Sequence, residues 1–196
     1  MRRIVSLEFL CILAILPVAC ASSPASHFYV LSAATTTTAA SSDLSVVVGP
    51  VSIPAVVDRP QIVVSTGANE VRVDDFNRWA SPLQNNISRV VAENLMAMLG
   101  TASVNVYPQT LSVDAGYRAA IEVRRFESVP GEAATLDAVW TLRRTKDGKS
   151  QTGRTTVREP APEQGYDALA AAHSRALARL SRDIADAVQS LDRSGP

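Results

Sequence analysis

The sequence predicts an α/β fold, a single three-layer domain in which two long helices pack on a mixed β-sheet. Three observations carry that expectation. Apolar residues recur at helical spacing over two long stretches, 82–99 and 166–191. Runs of β-branched or alternating character stand before and between them. The chain has 196 residues, 46% of them hydrophobic and 19% charged, enough for one domain with a real core.

The first residues read as a leader. Arg2 and Arg3 give a positive start, residues 9–18 form a short apolar run, and Ala19 precedes Cys20. The run is too short to span a bilayer, so residues 1–19 are expected to be a secretory signal. Leu16-Pro17-Val18-Ala19-Cys20 has the layout of a lipoprotein cleavage site, with Pro17 where a Leu is usual. Cys20 is therefore the expected lipid anchor. Two or three acyl chains on one cysteine hold a protein firmly to a membrane. Ala21 is not an aspartate, which favours the outer membrane over retention at the inner one. Residues 20–26 are the expected tether, 27–192 the domain and 193–196 a tail. The other cysteine, Cys11, also lies in the leader, so the domain has no thiol for a disulfide, a metal or a nucleophile.

The domain elements follow in order. Residues 27–31 read as a first strand with Tyr29 and Leu31 turned inward. Residues 33–43 are a polar, low-complexity loop. Val46, Val47 and Val48 are apolar on both faces, as a central strand covered on both sides requires. Pro54 and Pro60 bracket a rigid connector, since proline interrupts a central strand. Residues 61–65 and 70–73 form two strands about a turn, and 74–80 lead into a helix. Ser81 is placed as its N-cap, Pro82 at its first position and Gln84 to complete a capping box. Leu83, Ile87, Val90, Val91, Asn94, Leu95 and Met98 make its stripe, and Gly100 ends it. Strands are expected at 103–107, 117–126 and 134–144, with Asp147-Gly148 closing a hairpin into 150–158. That last strand is polar on both faces and reads as an edge, or as a strand covered by a partner. The second helix, 166–191, carries Tyr166, Leu169, His173, Leu177, Leu180, Ile184, Val188 and Leu191 on one face.

Five pieces of this chain have a familiar order: Phe28-Tyr29-Val30-Leu31, Val48-Gly49-Pro50-Val51, D-R-P-Q-I-V at 58–63, Asn69-Glu70, and R-W-A-S-P-L at 78–83. In that order they resemble the PqiC-like, ABC-type transport auxiliary lipoprotein family. The two longer motifs stand about fifteen residues apart, and together they are fairly specific. The resemblance implies a three-layer α/β fold and a non-enzymatic accessory lipoprotein on the periplasmic face of the outer membrane. It implies an MCE-domain membrane protein of a lipid transport system as partner, and a homo-oligomeric ring as a further expectation.

The residues agree with an inert adaptor. The chain holds two histidines, His27 beside the tether and His173 on the helix stripe, and neither stands near a serine elbow. No metal-ligand cluster or phosphate loop is present in the sequence, so no cofactor and no catalytic residue is expected. Asp74-Asp75 reads as a pair of solvated loop acids. A net charge of zero argues against a nucleic-acid partner. The expected partner-binding residues are Asp58, Arg59, Pro60, Gln61, Arg78 and Trp79, because arginine and tryptophan anchor interfaces and a following proline fixes Arg59. The competing reading is structural: Trp79 packs under the helix start and Arg78 pairs with Asp58 or Glu93. The alternative function is a periplasmic lipoprotein that itself holds a lipid or other hydrophobic ligand, which needs a cavity of several hundred Å3 (on the order of 300 Å3 or more). An envelope hydrolase lacks the expected motifs.

Overall fold

The computed structural model describes residues 24–34, 42–108 and 115–194. Cys20, the rest of the leader and most of the low-complexity loop lie outside the described residues. The strands are β1 (His27–Tyr29), β2 (Val46–Ser52), β3 (Gln61–Gly67), β4 (Glu70–Trp79), β5 (Val104–Val106), β6 (Tyr117–Val129), β7 (Ala133–Arg144) and β8 (Ser150–Pro160). The helices are α1 (Leu83–Leu99) and α2 (Tyr166–Arg193). The fold class is α/β with two long helices, as the patterning requires.

The strands divide into two mixed sheets, ordered β1-β4-β3 and β5-β2-β6-β7-β8. In the larger sheet β2 runs parallel to both β5 and β6, while β6, β7 and β8 form an antiparallel meander. Val46, Val47 and Val48 are all buried, the signature of a central strand. Between β2 and β3 the chain makes one turn at 54–58, with the amides of Val57 and Asp58 both bonded to the Pro54 carbonyl. That connector carries the chain out of the first sheet and starts the second.

The two helices pack on each other; α1 also packs on β2 and β5, and α2 on β7 and β8. The stripe Leu169, His173, Leu177, Leu180, Ile184 and Val188 is buried throughout. Leu136, Ala138, Trp140 and Leu142 of β7 meet it from the sheet. Gly153 lies directly across from Trp140, and a Cβ there would fall inside the indole. Among the described strands β8 pairs only with β7, so the polar strand is an edge.

Three local expectations are corrected. The strand read as 70–73 runs on to Trp79, because β1 lies parallel to its last three residues and gives them a hydrogen-bonding partner. Ser81 does not cap α1: Pro82 holds the N-cap position with no side-chain cap bond. Gln84 turns away from the helix end and donates its amide to the Val51 carbonyl, tying α1 to β2. Gly100 does end the helix in the left-handed conformation, its N–H on the Met96 carbonyl.

Candidate docking site

The two longer motifs of the sequence, 58–63 and 78–83, meet in space. The Trp79 amide donates to the Pro60 carbonyl at 2.7 Å, and Gln61 stands opposite Arg78 in the β3–β4 ladder. The Ala80 amide donates to the Tyr29 carbonyl at 2.9 Å, which fixes the exit from β4. Together these bonds open a cleft of about 380 Å3 lined by Asp58, Arg59, Pro60, Trp79, Ala80, Ser81, Pro82 and Leu83.

The cleft has a buried floor and an exposed rim. Trp79 and Leu83 form the floor, at 6% and 1% exposure. Asp58, Arg59, Pro60, Ser81 and Pro82 form the rim. The Arg59 amide donates to the Val57 carbonyl, but its side chain makes no ion pair or hydrogen bond with other described residues, so the guanidinium is free for a partner. Two rings back the floor. Phe126 meets Trp79 edge-on with centroids 6.3 Å apart, and stacks on the His173 ring at 3.7 Å.

His173 is a packing residue. Desolvation pushes its imidazole down to about 3, so it is neutral. Its Nε2 lies 2.9 Å from the Ser128 Oγ, while its buried Nδ1 has no partner among the described residues. The helix-stripe reading of this residue therefore holds.

Of the six sequence-predicted residues, Asp58, Arg59, Pro60 and Trp79 line the cleft, whereas Gln61 and Arg78 point from the sheet face beside it. The pairing of Arg78 with Asp58 or Glu93 does not occur. Arg78 Nε donates to the Asp75 carbonyl at 2.8 Å, and Glu93 pairs with Arg89 at 2.8 Å. The packing of Trp79 beneath the start of α1 does occur.

Asp74 is not a solvated loop acid. It sits in a bulge of β4, where the register jumps from Gln61↔Arg78 to Val63↔Val73. Its Oδ1 accepts from the amides of Phe76 (3.0 Å) and Asn77 (2.8 Å) and from Asn77 Nδ2 (2.9 Å). Its Oδ2 accepts from the Tyr166 hydroxyl at 2.6 Å. Burial works against the charged form, but the hydrogen bonds from Tyr166, Asn77 and Phe76 outweigh it and hold the carboxyl at about 2. Burial and the same carboxylate push Tyr166 up to about 12. This pair joins the small sheet to the N-terminal turn of α2. Nothing local in the sequence marks it, since 92 residues separate the partners. Among the described residues no group of three His, Cys, Asp or Glu side chains could hold a metal ion.

The model of a family described as the ABC-type transport auxiliary lipoprotein component matches residues 29–185. No curated protein matches the chain. Several solved structures share its fold. One is the crystal structure of an uncharacterized protein, 20% identical, with a TM-score of 0.70 over 84% of this chain and 99% of that one. Another is a DUF330-family protein from Xanthomonas campestris, 25% identical, with a TM-score of 0.64 over 81% of this chain and 92% of that one.

Proposed function

The chain belongs to the ABC-type transport auxiliary lipoprotein family, and from that membership we propose that it is a non-enzymatic, lipid-anchored adaptor that docks through the cleft at 58–60 and 79–83. Acylated Cys20 holds it at the periplasmic face of the outer membrane. Its partner is the periplasm-spanning MCE-domain protein of a lipid transport system, and copies of the chain assemble as a ring around that conduit.

The observation that carries the docking surface is the meeting of the two motifs. Separate stretches of chain, each rich in interface-type residues, converge on a pocket with a tryptophan floor and a charged rim. Such a pocket takes an apolar side chain from a partner, with Asp58 and Arg59 setting its polar surround. No helix among the described residues is long and apolar enough to cross a membrane, so attachment through Cys20 fits the family's description as a lipoprotein component.

The test is recovery of the partner from detergent-solubilised membranes with the tagged, full-length chain. Arg59→Glu and Ser81→Trp alter the rim and leave the buried floor in place. Each is expected to keep the wild-type melting temperature and to lose the MCE-domain protein, at roughly ten-fold lower recovery for a loss of about 1.4 kcal/mol. Full recovery by both variants removes the cleft from the interface.

A further inference from the structure

Register fixes the two faces of the three-stranded sheet. Phe28 stands opposite Arg78, Arg78 opposite Gln61, Val73 opposite Val63, and Val71 opposite Ser65. Cross-strand partners share a face, so these residues lie together. Tyr29, Trp79, Ile62 and Val64 lie on the other face and pack into the core. The outward face is thus apolar around a central arginine. On it Phe28 is 64% exposed and Val71 50%; Val30, just past β1, is 57% exposed, and Phe76 in the bulge 41%. Bulky apolar groups gathered on one exposed face mark a surface that something covers.

The short span from Cys20 to β1 bears on what covers it. β1 begins seven residues after Cys20. Seven extended residues reach at most about 25 Å. An acylated Cys20 therefore keeps β1 close to the bilayer; Phe28 sits on that first element and Val30 directly after it. Phenylalanine and valine beside a guanidinium suit the membrane interface, where apolar side chains enter the acyl boundary and arginine meets phosphate.

We infer that the outward face of the three-stranded sheet lies against the bilayer to which the chain is tethered, with Phe28 and Val30 set into the headgroup layer. The inference rests on the acylation of Cys20 proposed above. It gives the domain a fixed orientation, with α2 and the five-stranded sheet held away from the lipid.

Full-length protein reconstituted in phosphatidylethanolamine–phosphatidylglycerol vesicles with brominated acyl chains tests it. The native Trp79 and Trp140 are 6% and 5% exposed and give a shielded background. Phe28→Trp and Val71→Trp put reporters on the face; Arg154→Trp, whose site is 60% exposed on β8, is the control. The two face reporters are expected to lose roughly half of their added emission in brominated vesicles, while the control keeps its own. Equal quenching of all three, with acyl chains confirmed by intact mass, overturns the inference and leaves the anchor standing. Mature protein without acyl chains overturns both. Face reporters shielded from aqueous iodide without lipid, in a manner lost on dilution, assign the face to a second copy. Shielding that appears only when the transport complex is added assigns it to that partner. Either result overturns the bilayer contact.

Discussion

His173 shows how one buried side chain writes a pH dependence into the whole fold. The imidazole is neutral and fully buried, with its protonation pushed down to about 3. In the unfolded chain it takes up a proton near the ordinary histidine value of about 6.5. The unfolded state therefore binds more protons between those values, and stability falls as pH drops from 6.5 toward 3. The slope approaches about 1.4 kcal/mol per pH unit. His173→Gln is expected to flatten the melting temperature between pH 6.5 and 4.5, a window above the carboxylate range. A wild-type slope retained in the variant refutes this. The Asp74–Tyr166 bond acts elsewhere on the scale. A carboxyl held at about 2 stabilises the fold above its ordinary value of 3.8, and loses that contribution as pH falls through 2. A cycle of Asp74→Asn and Tyr166→Phe should show a coupling of about 1 kcal/mol at pH 7, falling to nothing below pH 2. The role of His173 was legible from its place on an apolar helical stripe. That of Asp74 was not, because its partner is brought to it only by the completed fold.

At the scale of elements, α2 was the most legible part of the chain. Its three- and four-residue gaps mark one face, and that face is buried against the core. Helix α1 is buried on most sides, so its stripe told less about its surroundings. Its start was misread for a definite reason: Gln84 has the option of capping, and the nearby Val51 carbonyl offers a bond that also joins two elements. The strand β4 was under-read because its second half depends on β1, a partner some fifty residues earlier. Gly153 makes the element-scale prediction. Trp140 Nε1 donates to Thr155 Oγ1 at 3.2 Å, which holds the indole flat over the glycine. Gly153→Ala must displace that ring, so it should cost about 2 kcal/mol in chemical denaturation and red-shift the Trp140 emission. An unchanged midpoint would show that the ring moves aside freely.

Across the whole molecule the two sheets share one core. Trp79 belongs to the small sheet and Trp140 to the large one, and both lie in a single hydrophobic cluster. The sheets are joined by the Trp79–Phe126 contact, and the Asp74–Tyr166 bond ties the small sheet to α2, which packs on the large one. They should therefore unfold together. In Trp79→Phe and Trp140→Phe, the remaining tryptophan is expected to report the same midpoint as circular dichroism of that variant. Divergent midpoints would mean that the sheets melt as separate units. The division into two sheets was hidden in the sequence, since alternation marks strands and not which strands adjoin. The candidate cleft was half visible: its residue types stood out, and only the fold showed that Gln61 and Arg78 face elsewhere.

The open side of β8 carries a consequence for handling the protein in bulk. The outward-facing amides and carbonyls of this eleven-residue strand could template the growth of insoluble hydrogen-bonded sheets. Arg154 and Arg158, each 60% exposed, set bulky side chains along that border, ion-paired with Asp137 and Glu132, and Pro160 at its end has no amide to offer. A second copy meeting this edge would have to displace those side chains and break their ion pairs before the ladders could join. The concentrated, detergent-free domain should stay clear on storage, and swapping both arginines for valine should turn it cloudy.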